Sequence, residues 1–422
     1  MKTYAVIGLG YVGLGLASAL SEKNRVLGYD INPQRVDELR QNLDSNQQIN
    51  VNDLSGSNLT ITSKLEDIKT ANFYIVCVST PAFFYETPNL KPLTLATKSL
   101  AQVIKKGDII VFESTVYPGT TIDICIPILE QYSHLRCGHD FNVGFSPERI
   151  NPGDKVNTLK NVTKIISAQN EATLAAIRQT YETICDTVYP VSSIGAAEAI
   201  KILENTQRDV NIAVMNEFTK IMHALNLNTH EIIEGAKTKW DFVPYKPGFV
   251  GGHCISIDPH YLAFVGKRCG IQPELILAAR HVNDGMTQFV IDALMKLIVK
   301  HKLDTSDLTI GVFGISYKEN VPDIRNSLSL KLIKELHVYG LKCCIHDPLV
   351  SKTDQEKHNI KLEDFDQIHD LSVAIIVVGH DFYQHKLPDI LHKCKNPKVV
   401  IDIPNIFIDD HPQYKDIVYW NL

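Results

Sequence analysis

The 422-residue chain is 44% hydrophobic and 21% charged, enough for roughly two to three globular domains and too apolar for a disordered protein. Its net charge of −6 is spread along the sequence with no Lys/Arg block, which argues against nucleic acid and against an anionic membrane as partners. The nine cysteines form no CxxC pair and no metal-ligand cluster, and no apolar run reaches about 18 residues, so a soluble cytoplasmic protein with reduced thiols and no metal is expected.

The first strand, Tyr4-Ala5-Val6-Ile7, runs into Gly8-Leu9-Gly10-Tyr11-Val12-Gly13 and then a helical pattern over 14–20. A second strand, 26–29, ends in Asp30. This is a dinucleotide-binding pattern: Gly8 makes the tight turn, Gly10 lets the backbone approach a pyrophosphate, and Gly13 lets helix pack on strand. Asp30 accepts hydrogen bonds from ribose hydroxyls and repels a 2′-phosphate, which favours NAD over NADP. Arg35, shortly after it, joins this cofactor set together with Tyr11 and Val12.

Alternation continues with a strand at 73–78 ending at Thr80, a helix near 93–103, and a strand at 109–112 ending at Thr115. Open parallel sheets bind ligands at strand C-termini, so both threonines are candidates to line cofactor and reacting carbon; either could equally cap a helix or a turn. A strand at 141–145 leads to Ser146-Pro147-Glu148-Arg149. On its own Glu148 reads as a solvated charge.

From 196 to 226 the sequence reads as one long helix, with Ile202, Ala213, Val214, Phe218, Ile221 and Leu225 at helical spacing. That is too much apolar surface for one exposed helix, so burial against a second subunit, a homodimer, is expected. Lys201 and Asn205 lie one turn apart on one face; taken alone they read as a solvated lysine and an incidental asparagine. After a helix at 229–237 comes Gly248-Phe249-Val250-Gly251-Gly252-His253-Cys254-Ile255-Ser256-Ile257-Asp258. Its glycines permit close backbone approach and lead to a thiol, a nucleophile presented on a loop or else an ordinary buried cysteine.

A helical stretch over 274–301 precedes a third block, with strands at 308–313, 341–345, 373–378 and 399–403 and a helix at 327–339. It repeats the first block, including an acid, Asp347, after its second strand, but lacks GxGxxG. A second α/β domain for a different nucleotide is expected, with Lys318 and Arg325 either phosphate ligands or exposed charges. The fold class is therefore α/β: two Rossmann-like domains joined by a long central helix and a helical middle domain, divided at 1–190, 191–303 and 304–422.

The glycine fingerprint, Glu113-Ser114-Thr115-Val116-Tyr117-Pro118-Gly119-Thr120, Ser146-Pro147-Glu148, the Lys201/Asn205 pair, Gly251-Gly252-His253-Cys254 with Asp258, and Asp323-Ile324-Arg325-Asn326-Ser327 together resemble the nucleotide-sugar 6-dehydrogenases, the UDP-glucose/GDP-mannose dehydrogenase family. Thr238-Lys239-Trp240 and the loop from Lys246 to Cys254 look most like the branch that oxidises UDP-N-acetylglucosamine or UDP-N-acetylgalactosamine for bacterial surface polysaccharides, the Vi-antigen type. In UDP-glucose dehydrogenases an aromatic residue more often stands where this chain has His253. Lys246 departs from the branch, which commonly carries arginine there.

The resemblance implies NAD as cofactor and a UDP-N-acetylhexosamine substrate, with UDP-glucose or UDP-ManNAc as the alternatives. It implies Cys254 as nucleophile, Lys201 and Asn205 as oxyanion donors, Asp258 and Thr115 as a proton relay through water, and Glu148 as activator of the hydrolytic water. Arg149, Lys201, Lys246, Gly251 and Lys318 fall to the substrate, with Glu148 beside them, and Arg325 to the cofactor. A nucleotide-sugar epimerase or short-chain reductase requires a Tyr-x-x-x-Lys pair that the sequence lacks. A β-hydroxyacid or 6-phosphogluconate-type dehydrogenase has no use for the thiol or the third block. A non-catalytic NAD sensor requires neither Cys254 nor Lys201 and Asn205.

Overall fold

A computed structural model describes residues 2–44, 58–82, 87–149, 156–414 and 416–422. They fall into two compact units, Met1–Asn205 with His260–Gln272, and Thr206–Pro259 with Pro273–Leu422.

In the first unit β1 (Thr3–Ile7), α1 (Gly13–Ser21), β2 (Arg25–Tyr29), α2 (Pro33–Arg40), β3 (Leu59–Thr62), β4 (Phe73–Val76) and α3 (Lys91–Ala101) follow one another. Then come β5 (Ile109–Phe112), α4 (Ile126–Ser133), β6 (Asn142–Phe145), β7 (Lys164–Ala168), α5 (Glu171–Tyr181) and β8 (Val188–Pro190). Among the described residues the strands form an eight-stranded sheet in the order β3-β2-β1-β4-β5-β6-β7-β8. The order reverses beside β1, the switch point where such sheets bind ligands. Alternate residues of the central strands feed two cores: Ala5, Ile7, Tyr74 and Val76 one, Tyr4, Val6, Phe73 and Ile75 the other. A parallel sheet covered on both faces needs apolar residues at every position, which is why these strands read as continuous hydrophobic runs.

β6 and β7 are antiparallel, Gly144 opposite Ala168 and Phe145 opposite Ser167. The sequence reading has no counterpart for β7 or β8. Both lack the long apolar run of the central strands, and β8 is three residues ending in a proline.

α6 (Ile194–Leu225) is 32 residues long, about 48 Å at 1.5 Å per residue. It begins in the first unit and ends in the second. α7 (Thr229–Ala236) follows, started by Asn228, whose side chain accepts from Glu231 N. α8 (Asp258–Arg268) returns the chain to the first unit. The stretch read as one helical region over 274–301 is two helices, α9 (Glu274–Asp284) and α10 (Met286–Lys300), parted at Gly285; apolar periodicity runs through the break and hides it.

The second unit closes with β9 (Thr309–Phe313), α11 (Leu328–Val338), β10 (Lys342–His346), α12 (Lys352–His358), β11 (Val373–Ile376), α13 (Leu387–His392), β12 (Lys398–Asp402) and β13 (Ile417–Asn421). Its sheet is parallel in the order β10-β9-β11-β12-β13. Ser327, read from sequence as the first helical residue, is the cap of α11, accepting from Ser329 N. The result is two Rossmann-like sheets with a helical region between them in sequence.

Candidate functional site

The glycine fingerprint does what its spacing requires. Gly8 has φ +92°, and a Cβ there would sit 2.9 Å from Cys77 O. A Cβ on Gly13 would stand 1.9 Å from Gly8 O, so only glycine lets α1 start this close to β1. Around Gly10 nothing lies within 4 Å of the added carbon, leaving the backbone open to a phosphate in front of the helix. Asp30 Oδ2 accepts from Leu9 N at 2.9 Å and Oδ1 from Asn32 N at 2.9 Å, which fixes the carboxylate at the end of β2. These residues fit a dinucleotide. Tyr11 and Val12 are half-buried in the turn before α1. Arg35 is buried, its Nε donating to Leu9 O at 3.0 Å and its other nitrogens paired with Asp44 at 2.7 Å and Glu38 at 3.4 Å; it braces the fingerprint from behind.

The loops after β4 and β5 are tied together. Thr80 Oγ1 donates to Thr115 O at 2.5 Å, Ser114 Oγ to Val78 O at 2.7 Å, and the Tyr261 hydroxyl of α8 to Thr80 O. The structure thus brings the two predicted threonines together, and neither caps a helix.

Glu148 is buried at 7% exposure and Lys201 at 6%, so the solvated readings of both are overturned. Lys201 Nζ donates to the Glu148 carbonyl at 2.5 Å. Glu148 Oε1 accepts from Arg149 N at 2.7 Å, and its Oε2 meets Lys164 Nζ at 2.8 Å. Lys164 also reaches Glu113 Oε2 at 2.9 Å, and the Tyr181 hydroxyl donates to Glu113 Oε1. The Arg149 side chain pairs with Glu204 of α6 at 3.2 Å, and Asn205 is 1% exposed. On the same helix buried Glu198 accepts from Gly119 N at 2.6 Å and Thr121 N at 2.9 Å, holding the turn after Thr115.

In the second unit the Cys254 loop is fastened at both ends. Asn216 of α6 receives Gly248 N on Oδ1 at 2.8 Å and donates to Gly248 O at 3.0 Å, while its amide meets Asn283 Oδ1 at 2.8 Å. Asn283 in turn donates to Asp209 Oδ1 at 2.8 Å, and Arg280 pairs with the same oxygen. Asn326 Nδ2 donates to Gly252 O at 3.1 Å. Two of the loop glycines serve this packing: a Cβ on Gly251 would stand 2.7 Å from Asn326 O, and one on Gly252, at φ +88°, 2.7 Å from the Tyr317 ring. Gly248 has open space. The Cys254 carbonyl accepts from Ile257 N at 3.0 Å and Asp258 N at 2.9 Å, so the cysteine lies one turn ahead of α8 and Asp258 opens that helix. Burial pushes the thiols of Cys125, Cys185, Cys343 and Cys394 up to about 12 and that of Cys77 well above its ordinary value; these stay protonated and inert.

Arg325 lies on Asp323, Nε 3.0 Å from each carboxylate oxygen, and His253 Nδ1 is 3.9 Å from the same residue with its ring edge-on to Tyr317. Burial opposes the charge on Asp323, but the Arg325 hydrogen bonds and charge hold its carboxyl below the usual range. Lys318 is half-buried and Lys246 exposed. Asp347 mirrors Asp30 across the internal repeat. Its Oδ2 accepts from Ile315 N at 2.7 Å, Ser316 N at 3.1 Å and His380 Nε2 at 3.2 Å; Oδ1 accepts from Leu349 N at 2.9 Å and Val350 N at 3.2 Å. His380 Nδ1 accepts from Asn320 N at 2.9 Å, which leaves the proton on Nε2.

Sequence profiles of one family match in series: its NAD-binding domain over residues 2–185, its central domain over 195–285 and its UDP-binding domain over 311–409. The chain belongs to the UDP-glucose/GDP-mannose dehydrogenase family. NAD is the cofactor of the domain that bears the fingerprint. Among curated relatives, a UDP-N-acetyl-D-glucosamine 6-dehydrogenase of Pseudomonas aeruginosa is 43% identical over 83% of both chains. One of Salmonella typhi is 41% identical over 94% of this chain and 95% of its own. Among solved structures, a UDP-D-ManNAc dehydrogenase from Pyrococcus horikoshii superposes with a TM-score of 0.90 at 29% identity, covering 100% of this chain and 99% of that one.

In this member of the dehydrogenase family the residues that sequence reading missed are the supports: Lys164, Tyr181, Glu198, Asn216, Arg280 and Asn283. Each is an ordinary polar residue on a helix or short strand, with no motif around it. Buried polar side chains in the middle of α6, such as Asp209 and Asn216, were the available signal, since a buried polar group demands partners. Among the described residues no helix is long and apolar enough to cross a membrane, and no group of three or more His, Cys, Asp and Glu side chains is arranged to hold a metal ion.

Proposed function

We propose that the chain oxidises the C6 alcohol of a UDP-N-acetylhexosamine, UDP-GlcNAc or UDP-GalNAc, to the uronate. The observation that bears most weight is the Cys254 loop, tied at Gly248 by Asn216 and at Gly252 by Asn326, because a fixed thiol is what a four-electron oxidation needs. Bound NAD accepts one hydride per molecule, so two are consumed per sugar. Asp258, with Thr115 and an ordered water, takes the alcohol proton in the first oxidation. Cys254 then adds to the C6 aldehyde as a thiohemiacetal, which keeps it from escaping, and the second oxidation yields a thioester. Water activated by Glu148 hydrolyses that thioester and restores the thiol. Lys201 and Asn205 stabilise the oxyanion at C6 in both stages, a role in which one lost donor costs about 10²–10³ in rate.

Lys318, Lys246, Gly251 and Arg149 serve the sugar nucleotide in this reading, and Arg325 the cofactor. The functional parts divide at 1–190, 191–303 and 304–422. α6 pairs with its copy in a homodimer, and the enzyme works in the cytoplasm on precursors of a bacterial surface polysaccharide. The names of two relatives above 40% identity support the N-acetylglucosamine type. UDP-ManNAc is the second reading, favoured by the name of the Pyrococcus structure, and UDP-glucose the third.

The test is NADH release from UDP-GlcNAc, UDP-GalNAc, UDP-ManNAc, UDP-glucose and GDP-mannose. A UDP-N-acetylhexosamine should give the highest kcat/KM, with about two NADH per sugar as four-electron bookkeeping requires. Cys254→Ser should stop acid formation; full uronate release by that variant, or one NADH per sugar in the wild type, sinks the mechanism. NAD binding with no turnover on any of these sugars would instead indicate a sensor.

A further inference from the structure

Behind Glu148 the first unit contains a buried ionic cluster, Lys164 with Glu113 and Tyr181, to which the proposed reaction gives no part. Lys164, 3% exposed, sits between two carboxylates, Glu113 Oε2 at 2.9 Å and Glu148 Oε2 at 2.8 Å, with Pro147 O at 3.4 Å. The far side of Glu113 is closed by the Tyr181 hydroxyl, so both of its oxygens act as acceptors. Past Glu148, the backbone carbonyl of that residue receives Lys201 Nζ at 2.5 Å.

Strand direction explains how the lysine reaches this place. Glu113 and Glu148 follow the C-terminal ends of β5 and β6, the edge where an α/β sheet does its chemistry. In a parallel neighbour the first residue would lie at the opposite edge. Because β7 runs antiparallel to β6, its first residue, Lys164, arrives at the chemical edge instead.

We propose that Lys164 is a positioning residue for Glu148: braced by Glu113 and Tyr181, it fixes the direction and the negative charge of the carboxylate that activates water, and through the Glu148 carbonyl it sets the Lys201 amine. This rests on the reading of Glu148 as the water-activating base. A buried carboxylate without a cation takes up a proton and ceases to be a base. Glu113 shows that pressure: burial and the charge of Glu148 push its carboxyl up, against the pull of Lys164. Burial opposes the ammonium of Lys164, yet the two carboxylates raise it above its ordinary value, so it stays charged. The other titratable groups facing this cluster are the thiols of Cys77 and Cys185 and the Tyr181 phenol, all raised by burial and so neutral, with the Lys201 amine at the Glu148 carbonyl and the Arg149 side chain turned to Glu204.

One ammonium shared by two carboxylates gives shifts of opposite sign. Glu113→Gln leaves Lys164 wholly to Glu148 and should move the acid limb of the kcat profile to lower pH. Lys164→Met should move it to higher pH and reduce kcat at neutral pH by about tenfold or more, within the range of general-base contributions, with KM for the sugar nucleotide little changed. Lys164→Arg should return most of the rate. The profiles are measured on whichever sugar nucleotide of the panel the wild type oxidises. In parallel, an infrared pH titration without substrate isolates the Glu148 carboxylate as the difference between each protein and its Glu148→Gln counterpart, and should shift in the same two directions. Unmoved limbs and an unmoved carboxylate titration, with rates following thermal stability alone, overturn the proposal. Full activity in Glu148→Gln itself removes Glu148 from water activation; the reading beneath then falls, while the infrared titration still decides whether Lys164 holds the carboxylate.

Discussion

Each Asp30 oxygen is engaged once by the backbone, from Leu9 N and Asn32 N, and each retains a lone pair for the two ribose hydroxyls. Replacing it with alanine removes both the charge that repels a 2′-phosphate and the acceptor that distinguishes a hydroxyl. Asp30→Ala should therefore lower the kcat/KM preference for NAD over NADP by about ten- to a hundredfold, the equivalent of one hydrogen bond to a charged group; an unchanged ratio would remove Asp30 from the ribose. Its place at the end of β2 was legible in the sequence because it depends on distance along the chain, one helix and one strand after the glycines. The place of Lys164 was not, because it depends on a strand running backwards, which no spacing reveals. Lys201 lies between the two: its helix face could be read, but its burial against the Glu148 carbonyl came only with the fold.

At the level of elements, the loop from Gly248 to Gly252 is a span of chain with no secondary structure of its own, ordered by two asparagines on two helix-bearing segments. Asn216 satisfies both the N–H and the C=O of Gly248. Asn216→Ala leaves those groups and Asn283 short of partners and should cost about 2–3 kcal/mol of stability, since buried polar groups without partners are expensive. Because the loop loses one of its two ties, turnover should fall further than the folded fraction does at the same temperature. Measuring thermal unfolding and kcat on the same samples checks this; activity that tracks the folded fraction alone would show that the tie is structural only. The sequence exposed the loop through its glycines, and in the fold Gly251 and Gly252 make room for Asn326 and Tyr317. Glycine marks close approach without saying what approaches.

Across the whole molecule the long helix is the feature that apolar periodicity foretold; Ile202 and Ala213 of that pattern are buried within the chain itself, and the rest of it includes an uncovered stripe. Leu203, Val214, Ile221 and Leu225 are 49–63% exposed, and their spacing of eleven, seven and four residues keeps them on one stripe of α6. If that stripe is the dimer surface, Val214→Asp with Ile221→Asp places charges in an apolar contact at a cost of about 3–5 kcal/mol. Light scattering should then give half the wild-type mass with the circular dichroism of a folded chain; an unaltered mass would move the interface elsewhere. The two sheets were also legible, since parallel strands buried on both faces are long apolar runs, while β3, β7, β8 and β13 were not, because strands that are short, partly polar or only half-buried resemble the loops around them.

The repeated architecture raises a question of discrimination, because a molecule with two copies of one nucleotide-binding design risks filling both with the more abundant ligand. Asp347 answers it by saturation. The aspartate that in the first copy has acceptor capacity left for a ribose receives five donors in the second, His380 among them. A dinucleotide offered there would find no acceptor in the place where its sugar needs one. The second copy keeps the turn and spends on its own fold the acceptor capacity that the first holds in reserve.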